Sequence, residues 1–440
     1  MMRALRGKVL PAVKNSFSAR ERSQLMAQLR ECVEARGGEV STRTRAGHLA
    51  ETYLGLGPAA RHEFLRLIAL EFGPDPKLVA AAHAVYQAAV GTVGQWDAEA
   101  GLRAAMRSAR IRLLTQFNAI PQGIKFLVDL RADLLHFLEN DTELAVLDRE
   151  LEARLTAWFD VGFLDLQRIT WNSPAALLEK LIHYEAVHEI RSWDDLKNRL
   201  DSDRRCYAFF HPRMPTEPLI FVEIALTDRL AGDVQALLDE AAPVFDAQHA
   251  DTAIFYSISN TQTGLRGVSF GNFLLKRVID DLRRDFPRLK TFATLSPLPQ
   301  LANWIKRHPE ILAKVRCPLN AETLTIGDWA KDAKQARTLR DPLLRLAGRY
   351  LLQAKQPRKK TDDESGDSPF DAVSRFHLAN GARIEQLNYL ADNSVKGFKQ
   401  SFGLMVNYYY DLGELEGNVE AYTASGEIAT SAAIRRLARD

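Results

Sequence analysis

A serine and a histidine are the residues of this chain whose chemistry first attracts attention. Ser296 follows an apolar segment and precedes Pro297, and His377 stands between Phe376 and Leu378. An ordinary histidine titrates near neutral pH and can therefore donate or accept a proton during a reaction. Taken alone, however, a Ser-Pro pair at a strand end is typical of a turn, and a histidine between apolar neighbours is typical of a packed core.

A glycine-rich loop precedes the serine. The predicted elements, in chain order, are a strand at 253–258, a loop with Gly264, Gly267 and Gly271, a helix at 273–286 and a strand at 291–295. This order presents backbone N–H groups and a helix N-terminus to a phosphate. The loop lacks the Gly-Lys-Ser/Thr of a Walker A motif and the spacing of a dinucleotide fingerprint. Because Ser296 follows the second strand, the arrangement predicts a substrate that carries both a phosphate and an acyl group.

Two blocks of sequence resemble the malonyl-CoA decarboxylase family. The longer matching motifs are Tyr256-Ser257-Ile258-Ser259, Gly264-Leu265-Arg266-Gly267-Val268, Leu295-Ser296-Pro297, Phe376-His377-Leu378, Asn380-Gly381 and Gly403-Leu404-Met405-Val406-Asn407-Tyr408. Further matches are Gly162-Phe163-Leu164, Ile169-Thr170-Trp171 and Glu185-Ala186-Val187-His188. The resemblance covers about residues 160–412, whereas the preceding third of the chain resembles the family only in its helical character.

The resemblance implies an enzyme that converts malonyl-CoA to acetyl-CoA and carbon dioxide. It implies that His377 is the proton donor and that Ser296 is the proton acceptor and carboxylate anchor. No metal or organic cofactor is expected, because the thioester carbonyl can take up the electrons that carbon dioxide leaves behind. Coenzyme A is then part of the substrate.

The resemblance also implies a set of substrate-binding residues. The loop resembles the pyrophosphate loop of the GCN5-related acetyltransferases, and Tyr410 matches a tyrosine near the family's site. The implied coenzyme A contacts are Arg266, Gly267, Val268, Ser269, Phe270, Gly271 and Asn272. Animal members carry an acidic residue where Ser269 stands, which leaves the role of this side chain open.

The same loop is compatible with two other functions. An acyltransferase would pass the acyl group to an amine, and an acyl-CoA sensor would bind without turnover. Incubation with malonyl-CoA alone separates the three, because only a decarboxylase releases carbon dioxide and acetyl-CoA without an acceptor.

The predicted fold class is α+β, with two domains. Residues 1–158 are predicted to form an all-α helix bundle, with a capping-box pattern at Ser18 and Glu21. Amphipathic runs follow at 76–90, 96–118, 122–139 and 141–158, and strand patterns appear at 205–211, 219–226, 253–259 and 290–295. The resemblance implies a GCN5-related acetyltransferase-like (GNAT) α/β catalytic domain over residues 159–440. It also implies a homotetramer, and we assign assembly to the helical domain.

Composition excludes several classes of protein. The 58 basic and 56 acidic residues leave a net charge of +2, so no general attraction to nucleic acid is expected. No apolar run reaches 18 residues, which predicts no membrane-spanning helix. Cys32, Cys206 and Cys317 are isolated, as is typical of buried thiols in a reducing compartment, and the cytoplasm is the predicted location. The charged stretch 355–369 is predicted to be an exposed mobile loop.

Overall fold

The computed structural model describes residues 15–35, 38–268, 274–356 and 368–439. The chain divides into two compact units. The first is made of Met1–Phe163, His211–Pro215 and Gln262–Phe270, and the second is made of Leu164–Phe210, Thr216–Thr261 and Gly271–Asp440. Ser269, Phe270, Gly271 and Asn272 of the predicted coenzyme A loop, and most of the charged stretch 355–369, lie outside the described residues.

The first unit is helical. Its helices are α1 (Ala19–Val33), α2 (Gly38–Leu54), α3 (Pro58–Glu71), α4 (Pro76–Ala89), α5 (Gln95–Ala105), α6 (Ala109–Ala119), α7 (Gly123–Leu138) and α8 (Ala145–Trp158). The predicted capping box is present before α1, where Ser18 N donates to the Glu21 carboxylate at 2.9 Å and Glu21 N donates to Ser18 Oγ at 3.4 Å. Apolar side chains form its core; among them are Leu29, Phe64, Leu65, Leu113, Phe117, Leu127, Leu134, Leu151 and Leu155.

The run predicted at 96–118 is two helices, α5 and α6. The chain turns between them because tertiary contacts hold the start of α6. Ser108 Oγ donates to the Glu150 carboxylate at 2.6 Å, and Arg110 N donates to the Phe72 carbonyl at 3.1 Å. Neither partner is near in sequence, so helical periodicity alone did not reveal the break.

A mixed sheet organises the second unit. Its strands are β1 (Asp165–Ile169), β2 (Arg204–His211), β3 (Met214–Thr227), β4 (Thr252–Asn260), β5 (Thr291–Thr294), β6 (Ser296–Pro297), β7 (Arg383–Asn388) and β8 (Met405–Tyr409). Within the described residues the order is β1-β2-β3-β4-β5-β8-β6, with β7 also paired to β8. Strands β4 and β5 are parallel, with Phe255 opposite Thr294.

Twelve helices of the second unit fall within the described ranges. They are α9 (Ala175–Tyr184), α10 (Trp193–Asn198), α11 (Val234–Leu238), α12 (Leu274–Asp285), α13 (Leu301–Arg307), α14 (Glu310–Lys314), α15 (Ala321–Ile326), α16 (Ala333–Gln353), α17 (Ala372–Ala379), α18 (Val395–Ser401), α19 (Leu415–Ser425) and α20 (Ala432–Ala438). Helix α12 lies at the place of the helix predicted at 273–286, and it buries an apolar face made of Leu274, Leu275, Val278, Ile279 and Leu282. The helical region followed by a mixed-sheet region confirms the predicted α+β class. None of the helices described here has the length and apolar composition needed to cross a membrane.

Candidate active site

The structure brings Ser296 and His377 together, although 81 positions separate them in the sequence. Ser296 Oγ lies 3.2 Å from His377 Nε2. Ser296 opens β6 and is 6% exposed, and His377 lies on the inner face of α17 and is 2% exposed. The two side chains therefore meet in a site that is almost closed to water.

The first turn of α17 is firmly anchored, and this fixes the position of His377. The Asp371 carboxylate caps the helix by accepting from the backbone N–H groups of Val373 and Ser374, each at 2.9 Å. Tyr350 Oη of α16 donates to the same carboxylate at 2.8 Å. Because Asp371 is itself buried, the cap joins α17 to α16 away from solvent.

Two tyrosines at the end of β8 enclose the imidazole. Tyr410 Oη lies 2.6 Å from His377 Nδ1, and the Tyr408 ring stacks on the imidazole with centroids 4.4 Å apart. Alternate residues of a strand share a face, so positions 408 and 410 point the same way. Tyr410, predicted as a substrate contact, thus touches the histidine directly. The role of Tyr408 was missed, although the two-residue spacing was a readable signal.

Thr294 is a second residue that sequence reasoning missed. Ser296 Oγ donates to Thr294 Oγ1 at 2.8 Å, and Tyr408 N donates to the same oxygen at 3.2 Å. Thr294 is completely buried. The two-residue spacing again places Thr294 and Ser296 on one face, so Thr294 completes the polar group around the serine.

Burial controls the protonation of this site. It lowers the pKa of His377 to about 3, so the imidazole is neutral at ordinary working pH. The expectation of a pKa near neutrality is therefore wrong for His377, because the sequence did not show how completely the ring is enclosed. Burial also raises the pKa of Tyr410 well above its usual value, so the phenol keeps its proton.

The described part of the glycine loop lies in the first unit. Arg131 Nη1 of α7 donates to the carbonyls of Gly264 at 3.0 Å and Arg266 at 2.7 Å. A Cβ at Gly264 would lie 1.8 Å from the Val128 carbonyl oxygen. Gly267 has a φ of +85°, which favours glycine. Close packing explains why position 264 is a glycine, and the positive φ explains why position 267 is one. The Arg266 side chain, in contrast, is exposed.

A buried ionic cluster joins β3 to α10 and to the residue that follows this helix. Arg199 donates to the carboxylates of Asp195 at 2.8 Å and Glu223 at 3.0 Å, and all three side chains are buried. Burial raises the pKa of Glu223 to about 8. Glu223 pairs in register with Ser257 of β4. Asp195 and Arg199 are four positions apart in the sequence, whereas Glu223 joins them only through the fold, so the cluster as a whole was not predicted.

Serines of β4 hold a further carboxylate. Ser257 Oγ donates to Glu185 at 2.8 Å and Ser259 Oγ donates to it at 3.1 Å. The same carboxylate accepts from the backbone N–H groups of Val187 and His188, each at 2.7 Å. Two motifs noted in the sequence, at 185–188 and 256–259, are thus joined through hydrogen bonds.

The Ser296–His377 pair lies outside a cavity of about 880 Å³ on the same unit. This cavity runs along α16, β7 and α20 and is lined in part by Arg340, Arg345, Asn388 and Arg436. In the part of the chain that the structure describes, no group of three or more His, Cys, Asp or Glu side chains is placed to hold a metal ion.

The candidate active site is the buried group of Thr294, Ser296, His377 and Tyr410, which are joined by hydrogen-bond contacts.

Comparison with known proteins covers nearly the whole chain. A family model for the malonyl-CoA decarboxylase C-terminal domain matches residues 162–440, and one for the malonyl-CoA decarboxylase N-terminal domain matches residues 72–159. "Malonyl-CoA decarboxylase, mitochondrial" of Rattus norvegicus is 36% identical over 418 residues, which is 88% of this chain and 83% of that protein.

Two crystal structures of similar proteins share the fold. Malonyl-CoA decarboxylase from Rhodopseudomonas palustris is 41% identical with a TM-score of 0.85, covering 94% of this chain and 99% of that chain. Malonyl-CoA decarboxylase from Agrobacterium vitis is 40% identical with a TM-score of 0.84, covering 95% of this chain and 100% of that chain.

Proposed function

Because this chain belongs to the malonyl-CoA decarboxylase family and is a carboxy-lyase, we propose that Ser296 and His377 decarboxylate malonyl-CoA without a metal or organic cofactor. The observation that carries the assignment is the buried 3.2 Å contact between Ser296 Oγ and His377 Nε2. Tyr410 Oη, 2.6 Å from Nδ1, supports the histidine from its other side. The products are acetyl-CoA and carbon dioxide.

The mechanism uses the thioester as the electron acceptor. Ser296 holds the malonyl carboxylate so that the breaking C–C bond aligns with the thioester π-system. The bond electrons pass to the thioester carbonyl as carbon dioxide leaves. The resulting enolate oxygen carries a negative charge that hydrogen bonds from the enzyme must stabilise. His377 then delivers a proton to the α-carbon. A carboxylate beside the imidazole favours its protonated form, so His377 can take up the proton that the reaction consumes.

We propose that the loop from Arg266 to Asn272 contacts the coenzyme A pyrophosphate. Support comes from Arg266, which is exposed and has no ion pair with any residue that the structure describes. A guanidinium free of carboxylates can form paired hydrogen bonds with a phosphate. Gly267 is also exposed, which leaves its backbone open to a ligand.

The reaction itself tests the proposal. Protein treated with a chelator and given malonyl-CoA alone should release equal amounts of carbon dioxide and acetyl-CoA. A requirement for an amine acceptor, or binding without turnover, would contradict the decarboxylation. Loss of activity that only a metal restores would contradict the cofactor-free mechanism.

The pH dependence of kcat/KM follows from the low pKa of His377. This ratio reports ionisations of the free enzyme, and burial lowers the free-enzyme pKa to about 3. Because His377 stays neutral as pH falls from 8 to 5, we expect no inflection near 6.5 that arises from this residue. Initial rates of acetyl-CoA formation measure the profile, with return to pH 7 as the control for inactivation. An inflection near 6.5 that the residual activity of His377→Asn lacks would contradict the burial argument.

We also propose that the chain associates with itself through α4 and α5. Helix α4 is apolar in composition, yet none of its residues is buried. Leu78 and Val85 are 61% and 60% exposed, and Trp96 at the start of α5 is also exposed. Several exposed apolar side chains on two successive helices are typical of a protein–protein contact. A second copy of the chain fits the homotetramer implied by the resemblance.

Charges on this surface should weaken the oligomer. We expect the double variant Leu78→Glu/Val85→Glu to form a smaller species, because burying two unpaired carboxylates in an apolar contact is unfavourable. Size-exclusion chromatography with light scattering measures the mass. Val40→Glu is the control, since Val40 is 81% exposed on α2 of the same unit. An unchanged mass in the double variant would exclude this surface as the contact.

For location we propose the cytoplasm. Cys32, Cys206 and Cys317 are free thiols, as is usual in reducing compartments. The rat relative carries the word mitochondrial in its name, which applies to that protein.

A further inference from the structure

The hydrogen bonds around Ser296 have a definite direction. Ser296 Oγ is the donor in its 2.8 Å bond to Thr294 Oγ1. A hydroxyl has one proton to donate, so Ser296 has none left for His377. The 3.2 Å contact with His377 Nε2 must then be a bond in which the imidazole N–H donates to the serine oxygen.

The other side of the imidazole agrees with this direction. A neutral imidazole carries a proton on one nitrogen, and the other nitrogen accepts. With the proton on Nε2, Nδ1 accepts from Tyr410 Oη at 2.6 Å. In the reverse tautomer Nε2 would need a proton from Ser296, and Thr294 already receives that proton. The consistent chain of donors therefore runs from Tyr410 to His377, then Ser296, and ends at Thr294.

Thr294 is held firmly at the end of this chain. Its carbonyl accepts from Asn407 Nδ2 at 2.7 Å, and its hydroxyl accepts from Tyr408 N at 3.2 Å. Asn407 is fully buried and is in turn bonded to Asn388 Nδ2 through its Oδ1 at 2.7 Å. These two hydrogen bonds, both from residues of β8, hold Thr294 in place beside Ser296.

We propose that Thr294 is a positioning residue that takes the Ser296 proton and thereby sets His377 as the proton donor. This inference rests on the proposed function of Ser296 and His377. In serine hydrolases the serine donates to the histidine and becomes a nucleophile. With the direction reversed, Ser296 is not activated to attack the thioester, and the thioester carbonyl stays available as the electron acceptor. When substrate binds, the Ser296 hydroxyl can turn its one proton from Thr294 to the malonyl carboxylate, while the serine oxygen still accepts from Nε2.

Thr294→Val tests the inference, because valine has the shape of threonine without the hydroxyl. We expect kcat to fall by about 10²-fold, the order seen for misplaced catalytic groups, while KM changes less than threefold. Thr294→Ser keeps the hydroxyl and should retain most of the activity. Thr291→Val on the same strand is the control, since its side chain forms no hydrogen bond within the described residues. Equal losses in Thr294→Val and Thr294→Ser, with unchanged thermal unfolding, would overturn the inference.

A double variant separates positioning from a general structural role. If Thr294 acts through Ser296, Thr294→Val should add less than a twofold loss to Ser296→Ala. The same 10²-fold loss in both backgrounds would overturn the inference. Thr294→Val at full activity, with Ser296→Ala and His377→Asn impaired, would reject the inference alone. Full activity in Ser296→Ala and His377→Asn would instead reject the proposed function.

The tautomer gives a readout independent of rate. In protein labelled with ¹⁵N-histidine, the His377 signals are those that disappear in His377→Asn. We expect the proton on Nε2 in the unaltered chain and a shift toward Nδ1 in Thr294→Val, because Ser296 can then donate to Nε2. A proton on Nδ1 in the unaltered chain would overturn the inference.

Discussion

The His377→Asn variant is expected to lose about 10²- to 10⁴-fold in kcat, the usual contribution of a positioned general acid. Asparagine preserves much of the shape and one hydrogen bond but cannot take up and deliver a proton. Isothermal titration with a non-reactive malonyl-CoA analogue should show nearly unchanged affinity, because the change affects the chemical step. The measurement of kcat is acetyl-CoA released from malonyl-CoA.

Two further variants make this expectation specific. Ser296→Ala should also lower kcat, and the double variant should be little worse than the poorer single one if the groups act as a unit. His183→Asn is the matched control, because His183 is exposed on α9 and should not affect turnover. Full activity in His377→Asn would contradict the assigned role.

Local sequence signals predicted the elements around the site. The strand, loop, helix and strand at 253–295 were readable because apolar periodicity and chain-breaking residues are local properties. The structure has β4, α12 and β5 at these places. The pairing of Ser296 with His377 was different, since no periodicity relates positions so far apart. Only the family resemblance indicated it.

The remaining features depend on tertiary structure. The roles of Thr294 and Tyr408 depend on the pairing of β5 and β6 with β8, which brings both residues next to Ser296 and His377. The low pKa of His377 arises from its enclosure, which no local sequence pattern reports. Gly264 likewise owes its identity to the close approach of Val128 from α7. Each of these required knowledge of distant neighbours.

Arg199→Met should destabilise the second unit by about 3–5 kcal/mol, the usual cost of breaking a buried ion pair by removing one partner. Arg199 donates to Asp195 and Glu223, so methionine would leave two buried carboxyl groups without their guanidinium donor. Thermal unfolding followed by calorimetry measures the loss. Arg191→Met is the control, because the Arg191 side chain is largely exposed and lies 3.9 Å from Asp195. Because the arginine of this pair is exposed and only at the edge of ion-pair distance, the control should lose no more than about 1 kcal/mol.

The loss in Arg199→Met should depend on pH in a definite direction. Burial raises the pKa of Glu223 to about 8 against an ordinary value of 4.5, so the folded state binds this proton more strongly than the unfolded state. Stability from this group is therefore present below about pH 4.5 and is lost as pH rises toward 8. Without the guanidinium the neutral carboxyl is favoured further, so the difference between variant and parent should be smaller at pH 5 than at pH 8. An equal loss at both values would contradict the raised pKa of Glu223, because a carboxyl that changes its charge between pH 5 and 8 must make the loss depend on pH.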